Sequence, residues 1–251
     1  MSVRNTHWVL ASRPTGWVEE SNFRMVETEV PPLENGQALV KVHYLSLDPY
    51  MRGRMDDTKS YAAPQPLDTV MIGGTVGEVI ESRHDKFRPG DMVVGMGAGG
   101  SSKSRYVIDE LGFDACIDYK TDGARPAFEA ATPSGVDIVF ENVGGKVFDL
   151  ALARMNAFGR VALCGLIAGY NGQDIALRNV RSLLVNRLTL QGFIISEHMS
   201  VWPEAVKELS GLVASGALKY RESVAVGIES APQAFIGLLK GENFGKQLVK
   251  I

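Results

Sequence analysis

Three apolar runs in the second half of the chain each end in a glycine-bearing turn, and this repetition restricts the folds open to it. Val136–Phe140 (VDIVF) leads into ENVGG at Glu141–Gly145, Arg160–Cys164 (RVALC) leads into GLIAGY, and Leu188–Ile195 (LTLQGFII) carries Gly192, Phe193 and Ile194. Ala115–Tyr119 (ACIDY) and Gln247–Ile251 (QLVKI) read as further strands. Helical stretches at Lys146–Met155, Met199–Ser215 and Ala231–Lys240 lie between the runs. Strands alternating with helices favour a parallel sheet with helices packed on its faces. Loops at the carboxyl ends of such strands surround the crevice in which ligands bind. Three such turns in register therefore predict a binding edge. In the helical stretch Met199–Ser215, Trp202, Val206, Leu209 and Val213 share one face, which predicts core packing.

Before Gly95 the rhythm differs. Gln37–Tyr44, Met71–Ser82 and Asp91–Val94 read as short strands between Gly/Pro turns, and Val40, Val42 and Tyr44 alternate with Lys41 and His43. That period of two belongs to a sheet with one buried face. The charged segment Arg83–Asp91 reads as a solvated hairpin connection. The sequence thus predicts an α/β protein with a β domain first and a nucleotide-type parallel sheet second.

Composition narrows the function. The 251 residues hold 26 Lys and Arg against 29 Asp and Glu, a net charge of −3 that lacks the basic excess of a sequence-independent nucleic-acid binder. No apolar run has the length of a membrane span, and the first residues lack the apolar core of a signal peptide, so a cytoplasmic protein is expected. Two distant cysteines, Cys116 and Cys164, make no disulfide framework. The four histidines are scattered and show no zinc-site spacing, so no bound metal is expected.

Gly95-Met96-Gly97-Ala98-Gly99-Gly100 follows an apolar strand and precedes a predicted helix at Ser101–Leu111. This is the G-x-G-x-x-G pattern, in which glycines let the backbone approach a pyrophosphate at a helix amino terminus. Asp114 or Asp118 stands about 20 residues on, where a ribose-binding acid is expected. Lys103 suits an extra phosphate, as on NADP, while a surface lysine beside a flexible turn explains it equally well.

At these motifs the chain resembles the zinc-independent branch of the medium-chain dehydrogenase/reductase superfamily, which includes prostaglandin, plant double-bond and curcumin reductases. The resemblance is carried by LDPYMRGRM from Leu47, AGGSSKSRYVIDELGFDACIDYK from Ala98, FENVGG from Phe140, CGLIAGYN from Cys164 and ENFGKQLVKI from Glu242. It implies a GroES-like β domain over 1–97, near which the strand 247–251 closes, and a Rossmann-type domain over 98–246. One part of the family pattern has no counterpart. The joining helix, the first Rossmann strand and the family's A-A-S-G-A-V-G-like loop are missing, which implies an internal deletion and makes GMGAGG a junction product. Taken at face value, GMGAGG is instead a working phosphate loop in a minimal fold.

The activity implied is reduction by NADPH of the carbon–carbon double bond of an α,β-unsaturated ketone or aldehyde. Tyr170 is the implied donor to the developing enolate, and Tyr50 the implied substrate-pocket tyrosine. For the cofactor, the resemblance implies Lys103 at the 2′-phosphate, Tyr119 near the adenosine and Asn142 behind the nicotinamide. It further implies backbone along Cys164, Gly165, Leu166, Ile167 and Tyr170, with Phe193 and Ile194 flanking the substrate. Asn243 reaches the phosphates in that reading, although Asn243 and Gly245 also read as a plain turn before the last strand. A homodimer is implied too. The rival reading is a non-enzymatic remnant of the family, a weak nucleotide binder or scaffold.

Overall fold

The structure is a computed structural model that describes residues 3–90, 92–94, 104–119 and 121–251. In chain order, the first half contains β1 (Arg4–Leu10), β2 (Phe23–Glu29), β3 (Ala38–Ser46), the short helix α1 (Tyr50–Arg54), β4 (Thr75–Ser82) and β5 (Met92–Val94). Then follow α2 (Ser104–Asp109), α3 (Ala124–Ala131), β6 (Val136–Glu141), α4 (Gly145–Leu152), β7 (Met155–Leu163), α5 (Arg181–Val185) and β8 (Thr189–Gly192). The chain closes with α6 (Trp202–Ala214), β9 (Glu222–Val226), α7 (Ala231–Lys240) and β10 (Lys246–Lys250). Two units result, Met1–Ser101 with Tyr220–Ile251, and Ser102–Lys219.

In the first unit, β1 and β2 pair antiparallel, and a second sheet runs β5-β4-β3-β10-β9. All its neighbours are antiparallel except β10 and β9. The last strand is thus built into the sheet of the β domain, and residues 220–246, assigned by sequence to the nucleotide fold, lie in this unit. Its core joins Leu10, Leu47, Met51 and Met55 to Phe235 and Leu238 of α7 and Val249 of β10. Phe235 and Leu238 stand three apart, one helical turn, which is why α7 can present both to the sheet. Pro232 in its first turn and left-handed Gly241 after its last residue bound the helix.

An ion pair built on a buried carboxylate ties the two ends of this unit together. Asp48 is fully buried, accepts a hydrogen bond from Ser46 Oγ at 2.6 Å, and pairs with the Lys246 ammonium. Glycine is required just before that lysine. Gly245 has φ +77°, and a Cβ there would run into the Arg221 carbonyl.

The second unit holds a three-stranded parallel sheet in the order β6-β7-β8. Phe148 and Leu152 of α4 pack on Met155 and Val161 of β7, with Val139, Leu183 and Leu188 alongside. Val139 faces this core, whereas Ile138 and Phe140, on the opposite face of the same strand, are each 63% exposed. Helices therefore cover one face of the strand more fully than the other.

Two sequence expectations fail in this unit. Ala115–Tyr119 forms no strand; five residues without a ladder partner stay irregular. The apolar row of α6 is not core either. No residue of α6 is buried, and Val206 and Leu209 are 43% and 50% exposed.

Replacing Asp48 by Ala leaves the Lys246 ammonium without its buried partner, and denaturant unfolding should show a loss of about 3–5 kcal/mol. An unfolding midpoint equal to the parent's would show that the pair contributes nothing.

Candidate active site

The turns after β6 and β7 are laced together through their main chains. The Glu141 carbonyl accepts from the N–H groups of Cys164 at 2.8 Å and Gly165 at 3.2 Å. Ile167 N–H donates to the Asn142 carbonyl at 3.1 Å, and Ala168 N–H to the Val143 carbonyl at 2.9 Å. The turn after β8 joins the same edge, because Phe193 N–H donates to the Leu163 carbonyl at 3.2 Å. Parallel pairing makes this convergence unavoidable, since all three strands end on the same side.

Asn142 and Tyr170 meet at Gly165. A Cβ on Gly165 would sit 3.2 Å from Asn142 Oδ1 and 3.6 Å from the Tyr170 hydroxyl oxygen, so any larger residue presses on the amide. The 3-10 turn Ile167–Gly169 carries the chain from this glycine back to Tyr170, whose own N–H donates to the Ile167 carbonyl at 3.2 Å. Burial raises the Tyr170 phenol above its usual 10; a hydrogen bond with the Leu166 backbone works against this, and nearby Cys164 adds to it. The phenol is therefore protonated at neutral pH and has an O–H to donate. Cys164 is a half-buried free thiol.

Phe193 stacks obliquely between Phe140 and His198, with ring centroids 6.1 and 6.4 Å away, and Ile194 opens the 3-10 segment Ile195–Val201. A shallow depression of about 410 Å³ lies on the sheet face lined by Ile138, Ala162, Gln191 and Phe193, and shares only Phe193 with the turns. The turn chemistry and this depression are different places.

The remaining sequence candidates divide. Asn142, Cys164, Gly165, Leu166, Ile167, Tyr170, Phe193 and Ile194 are brought to one edge of one sheet. Tyr119 is in the same unit, exposed at the end of the irregular stretch. Tyr50 and Asn243 are in the other unit. Tyr50 begins α1, and burial first and the Asp48 carboxylate second raise its phenol above 10, with Arg54 opposing and Tyr61 adding. Asn243 Nδ2 donates to the Gly245 carbonyl at 2.7 Å, the plain turn its sequence also allowed. Lys103 and Gly95–Gly100 lie outside the described residues.

Sequence reasoning overlooked one side chain. Glu141 is 3% exposed, and its Oε1 accepts from Val143 N–H at 2.5 Å and Gly144 N–H at 2.6 Å. The signal was available, because an acid two and three residues before glycine-turn amides is placed to satisfy them.

Among the described residues no group of three or more His, Cys, Asp or Glu is placed to hold a metal ion. No helix among them is long and apolar enough to cross a membrane.

At pH 10, where a free tyrosine is half ionised, Tyr170 should remain mainly protonated. NMR titration of ring-labelled tyrosine, assigned with Tyr170→Phe, reads this directly; a midpoint at or below 10 would contradict the burial described.

Comparison with known proteins fits this arrangement. The family model described as the N-terminal domain of oxidoreductase matches residues 6–108, and that described as zinc-binding dehydrogenase matches residues 90–211. The chain is 35% identical over 335 aligned positions to the NADPH-dependent curcumin reductase of Escherichia coli K12, covering 99% of this chain and 97% of that protein. It is 27% identical to prostaglandin reductase 1 of Sus scrofa over 334 positions, covering 99% of each. The crystal structure of CurA from Vibrio vulnificus in complex with NADPH superposes with a TM-score of 0.88 at 32% identity, over 98% of this chain and 99% of that one. The chain belongs to the medium-chain dehydrogenase/reductase superfamily, among reductases of the curcumin, prostaglandin and alkenal reductase type.

Proposed function

We propose that this protein reduces the carbon–carbon double bond of α,β-unsaturated ketones or aldehydes with NADPH and without a metal. The observation that carries the reading is the meeting of the Asn142 amide and the protonated Tyr170 phenol beside Gly165, on the carboxyl edge of a parallel sheet. An amide and a phenol side by side form a polar pair that suits the nicotinamide end of a dinucleotide and a small carbonyl compound. NADPH, when bound, supplies a hydride to the β carbon of the enone. Negative charge then gathers on the carbonyl oxygen, the Tyr170 O–H is the group that can stabilise it by donating a hydrogen bond, and a proton from solvent adds to the α carbon to give the saturated carbonyl product. Phe193 and Ile194 give the same edge an apolar flank for the substrate. Lys103 is assigned to the 2′-phosphate of the cofactor.

The second reading, a cofactor-impaired remnant, is favoured by a specific observation. The parallel sheet has three strands among the described residues, and ACIDY forms none. An internal deletion accounts for this. The exposure of Ile138 and Phe140 on β6 supports it. Losing a phosphate loop removes several charge-assisted hydrogen bonds of about 1.5–3 kcal/mol each, which lowers affinity by orders of magnitude.

NADPH titration followed by its fluorescence, then its oxidation with a simple enone, separates the readings. Binding and turnover support the reductase; no binding at about millimolar NADPH leaves only the remnant. In an active protein, Tyr170→Phe should lower kcat about a hundredfold with NADPH affinity little changed, and an unaltered kcat removes Tyr170 from the chemistry. Lys103→Ala should weaken NADPH far more than NADH, and equal losses remove the 2′-phosphate assignment.

A further inference from the structure

We propose that Glu141 is a positioning residue: its buried carboxylate fixes the turn that carries Asn142 and, through main-chain hydrogen bonds to the following turn, fixes the Tyr170 hydroxyl. The consequence for catalysis rests on the reductase reading; the geometric hold does not. Glu141 is the last residue of β6, and its backbone and side chain act on different partners. Its Oε1 gathers the N–H groups of Val143 and Gly144, which closes the turn around Asn142. Its carbonyl gathers the N–H groups of Cys164 and Gly165, which holds the start of the next turn against the first. Asn142 and Val143 then continue the lacing by accepting from Ile167 and Ala168.

The side chain has no route to substrate chemistry of its own. At 3% exposure, with Oε1 shared by two amides, it is placed to orient rather than to react. Charge on the acceptor strengthens both bonds, because a carboxylate accepts from N–H more strongly than a neutral oxygen does. The turn is further constrained from the other side, where a Cβ on Gly144 would collide with Leu166 at 2.9 Å. The turn that carries Asn142 thus has the Glu141 carboxylate on one side and Leu166 packed close to Gly144 on the other. A shift of about an ångström in such a frame is enough to misplace reacting groups and cost up to about a hundredfold in rate.

Three measurements test the proposal. In the unaltered protein, the amide protons of Val143 and Gly144 should exchange slowly with solvent; exchange as fast as in an open turn overturns it. In Glu141→Ala, both amides should become fast, and the titration of labelled Tyr170 should move down toward that of free tyrosine. Tyr50, in the other unit, should titrate unchanged and so reports general unfolding. An unmoved Tyr170 in a folded Glu141→Ala protein overturns the proposal. Glu141→Gln keeps an oxygen at the same reach and should restore most of the parent behaviour. Loss in Glu141→Gln equal to that in Glu141→Ala overturns it as well. If Glu141→Ala does not fold, the exchange rates of the unaltered protein and the Glu141→Gln titration decide.

With enone and saturating NADPH, Glu141→Ala should lower kcat tenfold or more while KM for the enone changes less. Failure of the unaltered protein to oxidise NADPH with an enone counts against the reductase reading alone, because exchange and phenol titration need no cofactor.

Discussion

Main-chain hydrogen bonds between the turns after β6 and β7 are the constraint on which the site depends. Parallel strands deliver their following turns to the same edge, but delivery alone leaves loops free to splay. Here the Glu141, Asn142 and Val143 carbonyls each accept from the neighbouring turn, so the second turn is held along its length. Tyr170 follows directly from that lacing. Its phenol is half-buried against Gly165 and Leu166, and it stays protonated because the surroundings disfavour its anion.

A different constraint organises the β domain. Leu47-Asp48-Pro49-Tyr50 and Phe244-Gly245-Lys246 are separated by about two hundred residues of chain, yet the buried Asp48 carboxylate pairs with the half-buried Lys246 ammonium. A fully buried carboxylate requires such a partner. Tyr50 starts a helix of only five residues, so its position is inherited from the Asp48 anchor and from Met51 and Met55 in the core. Arg52 adds to this, donating to Asp56 and to the Gly16 carbonyl from a buried position.

Strong local signals were legible in the sequence. The helical stretch read at Ala231–Lys240 forms over those same residues, and the runs before ENVGG, CGLIAGY and GFI form the parallel strands β6, β7 and β8. What failed depended on partners distant in the chain. ACIDY has strand composition but no ladder partner, and the apolar row of α6 has the right period but no sheet beneath it. β1 shows no clean alternation, and what holds it in place is its pairing with β2 and the Trp8 indole N–H donating to the Ile228 carbonyl, 220 residues away. Within the site, the turns were readable as glycine motifs, whereas the role of Glu141 emerges only when its side-chain oxygen is seen on two amides.

The lacing between the two turns uses peptide groups on both sides, with one carboxylate reinforcing it. Side chains at Val143, Ile167 and Ala168 contribute nothing to those particular bonds, so mutation can alter the lining of the crevice while the frame beneath it persists. Such an arrangement decouples lining from frame: a side chain facing the edge can be exchanged without disturbing the peptide groups that hold the two turns together.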